Sequence, residues 1–124
     1  MNKAMEFVSH EQGERRIAEL VGEGLAISNA GEALDLLGNA YYQGFDGLIL
    51  HVHQLPDAFF DLRNGLAGEV LQKFSNYRMP LAIVGDATLH PSKALQDFIR
   101  ESNQGKQVNF RGSVAEALNT LFHA

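Results

Sequence analysis

Gly47-Leu-Ile-Leu-His-Val52 and Pro80-Leu-Ala-Ile-Val-Gly85 are two short apolar runs, and the residues between them decide the fold. That interval opens with an aromatic corner from Pro56 to Phe60. It continues through Asp61-Leu-Arg-Asn-Gly-Leu-Ala-Gly-Glu-Val-Leu-Gln-Lys-Phe74 and closes at Ser75-Asn-Tyr-Arg78. Leu66, Val70, Leu71 and Phe74 recur at three- and four-residue steps, which predicts a helix from Asp61 to Phe74 with Glu69, Gln72 and Lys73 left outside. Two strands joined by a helix of this length cannot form a hairpin, so they lie parallel in a right-handed βαβ unit. The first strand is apolar on both faces except for His51 and His53, as in a central strand covered on each side. Gly65 and Gly68 inside the helix each cost about 1 kcal/mol against alanine, so they are expected to permit a close approach to the sheet or to another molecule.

Upstream, the Asn29 side chain can accept from the free amide at Glu32 while Glu32 reaches back, the signature of a helix start. Ala33, Leu34, Leu37, Ala40 and Tyr41 form its apolar stripe, and Gly44 is placed to end it. Before it, Leu25-Ala-Ile27 predicts a brief strand. Residues 4–9 and 15–21 predict a hairpin around the turn at 11–14. Downstream, Asp86 to His90 reads as a loop and Pro91 as the opening of a helix carrying Ala94, Leu95, Phe98 and Ile99. Gln107 to Phe110 is a last strand. Ser113-Val-Ala-Glu116 is a capping box for a final helix with Val114, Ala117, Leu118 and Leu121 buried. The order β, β, β, α, β, α, β, α, β, α specifies a single α/β domain over residues 1–124. Its central sheet is mostly parallel, with an antiparallel N-terminal hairpin and about four helices.

The 124 residues suffice for one core, and 45% hydrophobic with 20% charged residues is an ordinary globular composition. Fifteen acids against 10 bases give a net charge of -5, with Arg15-Arg16 the only adjacent basic pair, so no nucleic-acid footprint is present. The absence of cysteine excludes thiol catalysis and cysteine-ligated metals. No apolar stretch of ~18 residues occurs and no apolar run follows Lys3, so a cytoplasmic protein without membrane contact is expected. Neither a dinucleotide fingerprint nor a phosphate-loop lysine is found, and no cofactor is expected.

The element order, with a helix start following an apolar strand, resembles the STAS domain of anti-sigma-factor antagonists. In that family an Asp-Ser-Ser/Thr-Gly-Leu turn carries a phosphorylated serine. Here the turn is Asp61-Leu-Arg-Asn-Gly-Leu66, and the phosphoacceptor position falls on Leu62 or Arg63, so no phosphorylation is expected there. The resemblance is closer to an uncharacterised bacterial family, domain of unknown function 4180. It is carried by Phe59-Phe-Asp-Leu62, Gly65-Leu-Ala-Gly-Glu69, Gln72-Lys-Phe74, Asn76-Tyr-Arg78, Leu81-Ala-Ile-Val-Gly-Asp86, Ser92-Lys-Ala-Leu95 and Phe98-Ile-Arg-Glu-Ser-Asn103. It implies relatives and no activity.

In open sheets ligands settle beyond the carboxyl ends of parallel strands. His53, Asp61, Arg63 and Asn64 follow one strand, Asp86 and His90 the next, and Asn109 and Arg111 the last. The same residue types also serve as caps and turns. His51 and His53 project from one face but lack a third ligand for a metal. Ser92, His90 and Asp86 have triad chemistry but sit in one loop, so Ser92 is expected to cap. Phe59-Phe60 reads as a staple under the second helix, or else as a protein contact. Tyr41-Tyr42 is expected to place one ring in the stripe and one outside. Arg63 sits at the positive end of a helix dipole, so an anion, an acidic partner or Asp61 is expected to neutralise it.

Two functions follow. The first is a non-enzymatic regulatory or protein-interaction module, favoured because no catalytic constellation is present. The second is a small anionic-ligand binder, or an enzyme, using Asp61, Arg63, Asn64, Asp86 and His53 at the strand ends. A homodimer is also expected, since two-fold pairing is the commonest soluble assembly.

Overall fold

Gly13, at φ 62°, turns the chain between β1 (Glu6–Gln12) and β2 (Arg15–Val21), which pair antiparallel with Gln12 opposite Arg15. In the computed structural model, residues 5–86 and 92–123 are described. The hairpin leads into α1 (Ala30–Tyr42), β3 (Gly47–His51) and a 3-10 turn at Val52–Gln54. A one-turn α2 (Asp57–Phe60), a second 3-10 turn (Leu62–Asn64), α3 (Leu66–Asn76) and β4 (Leu81–Val84) follow. The described chain ends through α4 (Lys93–Ser102), β5 (Val108–Arg111) and α5 (Val114–Phe122). Among the described residues the strands make one sheet in the order β1-β2-β3-β4-β5, with β2 to β5 all parallel.

Each parallel crossover steps to the next neighbour in the same direction. Right-handedness then puts α1, α3 and α4 on one face. There Leu48, Leu50, Leu81, Ile83, Val108 and Phe110 pack with Leu37, Val70, Phe74 and Leu95. The alternate strand residues Ile17, Ile49, Ala82 and Val84 point the other way and are buried with Ala117 and Leu121 of α5. Two apolar faces on each inner strand explain why their sequences read as unbroken apolar runs.

The helix starts are set locally. Asn29 Oδ1 accepts from the Glu32 amide at 2.9 Å and Ser113 Oγ from the Glu116 amide at 3.2 Å. In both cases the glutamate reaches one residue further back than a capping box requires, to the amides of Ser28 (2.7 Å) and Gly112 (3.0 Å). Ser92 caps α4 by accepting from the Leu95 amide at 3.3 Å, while Pro91 and His90 lie outside the described residues. Gly44, at φ 84°, ends α1.

Five expectations are corrected. Residues 25–27 are not a strand: the amides of Ala26 and Ile27 both donate to the Gln54 carbonyl (2.8 and 3.4 Å), which pins this segment to the turn after β3 and removes it from any ladder. The second helix begins at Leu66 rather than Asp61. Asp61 ends α2 and accepts from the Arg63 amide, and Gly65, at φ 82°, reverses the chain before α3. Gly65 and Gly68 permit no close approach, because a side chain at either would meet nothing within 4 Å. Gly65 is needed for its left-handed backbone instead. Neither Tyr41 nor Tyr42 is buried. The stripe of α1 ends at Ala40, and Tyr41, in the last turn of the helix, lies at the surface against the rings of Tyr42 and Tyr77. Finally, Phe59 and Phe60 are buried in the core that α3 also enters, with their rings edge to face at 5.2 Å, but they stand in α2, ahead of the Gly65 cap, and not at the residue next to the cap that a staple uses.

Candidate functional site

Gln54 ties the carboxyl end of the sheet together. Its fully buried side chain donates to the carbonyls of Leu20 (2.9 Å) and Gly22 (3.3 Å) and accepts from the His51 amide (2.8 Å). The end of β2, the end of β3 and the 25–27 segment are thereby locked to one residue. Across from this knot, the chain leaves β4 at Gly85 (φ 140°), where a Cβ would come within 2.8 Å of Val52 Cγ2. Only glycine passes so close in that conformation.

Between these two constraints lies a cleft of about 600 Å³. Leu25, Val52, Leu55, Pro56 and Val84 form its apolar walls, and His51, His53, Asp57 and Asp86 supply its polar groups. No lysine or arginine is among the described residues that line it. Concave, mostly apolar, with a few convergent polar groups, it has the form of a small-molecule site.

The two imidazoles are held. Glu19 on β2 receives His51 Nε2 on one carboxylate oxygen at 2.8 Å and His10 Nε2, from β1, on the other at 2.9 Å. The three residues thus form a row across adjacent strands, with the Glu19 side chain only 14% exposed. Burial pushes the Glu19 carboxyl up, but hydrogen bonds from His10 and His51, and their charges, outweigh it and hold the group below its ordinary value. As a carboxylate Glu19 only accepts, so both facing Nε2 atoms carry protons. His53 stacks on His51, with centroids 5.6 Å apart and planes at 28°, and its Nε2 donates to the Gly22 carbonyl at 3.1 Å. The other nitrogen of His51 is turned to the Gln54 amide in a capping box, so in the neutral forms it is the His53 ring that keeps Nδ1 as an open hydrogen-bond acceptor. The polar lining of the cleft is therefore mainly accepting: the His53 imidazole and the carboxylates of Asp57 and Asp86.

The residues singled out in the sequence divide into two groups. His53 and Asp86 line the cleft. Asp61, Arg63 and Asn64 lie at the corner between α2 and α3 and do not line it. There the Arg63 guanidinium makes a two-point pair with Asp61 at 2.9 and 3.0 Å. That pairing, led by the side-chain hydrogen bond, lowers the Asp61 pKa and raises that of Arg63. Asn64 spans the corner, donating to the Ala58 carbonyl and accepting from the Leu66 amide, both at 2.9 Å. At the last strand, Asn109 is buried and donates to the Gly105 carbonyl at 3.2 Å, and Arg111 donates to Thr120 Oγ1 at 3.0 Å.

His51 and His53 are neighbours as expected, although through a 3-10 turn rather than along a strand. Among the described residues no group of three or more histidine, aspartate or glutamate side chains is placed to hold a metal ion. Also among the described residues, no helix is long and apolar enough to cross a membrane. Sequence reasoning passed over Glu19, His10, Gln54 and Asp57. Glu19 carries a signal of a kind, being the one polar residue between Ile17 and Val21 and sharing a face with both.

The model of the DUF4180 family, a domain of unknown function, matches residues 12–121, and the chain belongs to that family. No curated protein matches it.

Proposed function

We propose that this DUF4180 domain binds a small molecule in the cleft at the carboxyl ends of β3 and β4, and that binding there is the input of a regulatory domain. The ligand has a hydrogen-bond-donating or cationic head and an apolar body. The observation that carries this reading is the lining itself: His53, Asp57 and Asp86 bring acceptor groups and no lysine or arginine stands among the described lining residues, against walls of Leu25, Val52, Leu55 and Val84. A donor head answers those acceptors, and an apolar body replaces water along the walls. The anionic ligand expected from the sequence needed Arg63 at the strand ends. Arg63 is outside the cleft and already paired with Asp61, so the charge argues for the opposite kind of ligand.

A thermal-shift screen with amines, guanidines, polyols and organic acids tests this. A ligand at ~100 times its dissociation constant adds about 2.7 kcal/mol of stability. In a domain of this size that raises Tm by roughly 10 °C. Hits should fall among the donors, be lost in Asp57→Asn and His53→Ala, and survive in Arg63→Ala. Hits confined to organic acids and lost in Arg63→Ala would overturn the proposal, as would a screen with no saturable hit.

A further inference from the structure

The end of the sheet opposite the cleft carries an unusual concentration of two residue types. The chain has three tyrosines, and Tyr41, Tyr42 and Tyr77 meet there. Tyr41 stands edge to face with Tyr42 at 5.9 Å and with Tyr77 at 5.5 Å. They are 52%, 88% and 41% exposed. Beside them, Arg15 and Arg78 line a hollow of about 270 Å³ with Tyr41, Tyr77 and Pro80. Arg16 lies next along β2, its guanidinium 4.4 Å from the centre of the Phe45 ring. Asp46 is the acid in this hollow, and its carboxylate already accepts from the Arg16 amide at 2.8 Å.

Arg78 supplies a separate observation. It closes α3 in the left-handed region, at φ 53°, the one positive-φ residue other than glycine among the described residues. Its amide donates to Ser75 and that of Met79 to Phe74, both at 3.0 Å, a helix ending that favours glycine at this position. Its guanidinium makes no hydrogen bond or ion pair among the described residues. The fold gains nothing visible from arginine here. A strained backbone under an unpartnered cation points to a partner outside the chain.

We propose that this patch docks an acidic segment of another protein. The three tyrosine rings cover an apolar or aromatic side chain of that segment, Arg78 takes its carboxylate, and Arg15, whose Nε already donates to the Leu121 carbonyl at 3.0 Å, adds positive charge through its terminal nitrogens. Tyrosine and arginine are the residues that carry most binding energy at protein interfaces. The local positive charge on a chain of net charge -5 selects an acidic partner. A second copy is disfavoured, because two-fold pairing of the patch on itself would bring two surfaces of like positive charge together.

The test uses the full chain and two short fluorescein-labelled peptides, one alternating glutamate with phenylalanine and leucine, the other with lysine in place of each glutamate. Anisotropy should report binding of the acidic peptide, weakened by salt and weakened at least ~10-fold by Tyr42→Ala and by Arg78→Gly. Arg78→Gly should at the same time raise Tm, because it relieves the backbone. A folding defect cannot lower affinity and raise Tm together. Equal binding of the lysine peptide, no binding of the acidic one, or affinity unchanged in both variants would overturn the proposal. So would a dimer in sedimentation that Tyr42→Ala disperses.

Discussion

Replacing Glu19 by alanine should destabilise the domain by about 2–3 kcal/mol, and by glutamine about half as much. Two hydrogen bonds to one carboxylate, from His10 at 2.9 Å and His51 at 2.8 Å, are lost in the alanine variant. Hydrogen bonds to a charged group contribute ~1.5–3 kcal/mol each, and partial exposure of all three side chains places these at or below the low end. Glutamine keeps one acceptor and turns a donor toward the other imidazole, so one bond survives. Urea unfolding followed by circular dichroism measures the difference, and the urea dependence should be unchanged, since the same surface is exposed. The pH dependence fixes the cause. The Glu19 pKa is depressed in the folded state below its ordinary 4.5. Its stabilisation is therefore fully present above that value and is lost as pH falls through the lower folded value. The gap between the native chain and Glu19→Gln should shrink below pH 4.5. A gap under about 0.5 kcal/mol at pH 7, typical of an ordinary surface change, would refute the clamp. A gap that widens below pH 4.5 would refute its sign.

Three further outcomes are expected. Gln54→Ala leaves the Leu20 carbonyl and the His51 amide without a partner and should cost about 2–4 kcal/mol by the same unfolding assay. Gly85→Ala drives a Cβ to 2.8 Å from Val52 in a backbone region that only glycine favours, and should cost about 1–3 kcal/mol with a matching drop in Tm. Asp61→Ala and Arg63→Ala remove an exposed pair and should leave Tm unchanged, and mass spectrometry after kinase treatment should find no phosphate on residues 61–65.

Sequence alone exposed the crossovers because their signals are local: an apolar run, an apolar stripe at helical spacing, a glycine at the end. The capping side chains Asn29, Ser92 and Ser113 were equally visible, since a cap and its amide lie three residues apart. Residues 25–27 looked like a strand because a short apolar run has no periodicity. What decides their conformation is the carbonyl of Gln54, a residue far along the chain. The candidate site was half readable for the same reason. His53 and Asp86 follow strands and could be placed at their ends. The partnership of Glu19 and His51 spans 32 positions and exists only once β2 and β3 are in register. Arg63 drew attention as a lone cation at a helix start, and its pairing two residues back with Asp61 was one of several outcomes the spacing allowed.

The central claim is that the strand-end cleft takes a donor-bearing small molecule. It is tested most directly by amide correlation spectra of the assigned full chain, titrated with a panel of primary amines, guanidines and quaternary ammonium compounds. Saturable shifts concentrated at His51, Val52, His53, Gly85 and Asp86 are the expected result. Saturable shifts confined to the corner at Arg63, Asn64 and Gly65, or no saturable shift with any member of the panel, would contradict it.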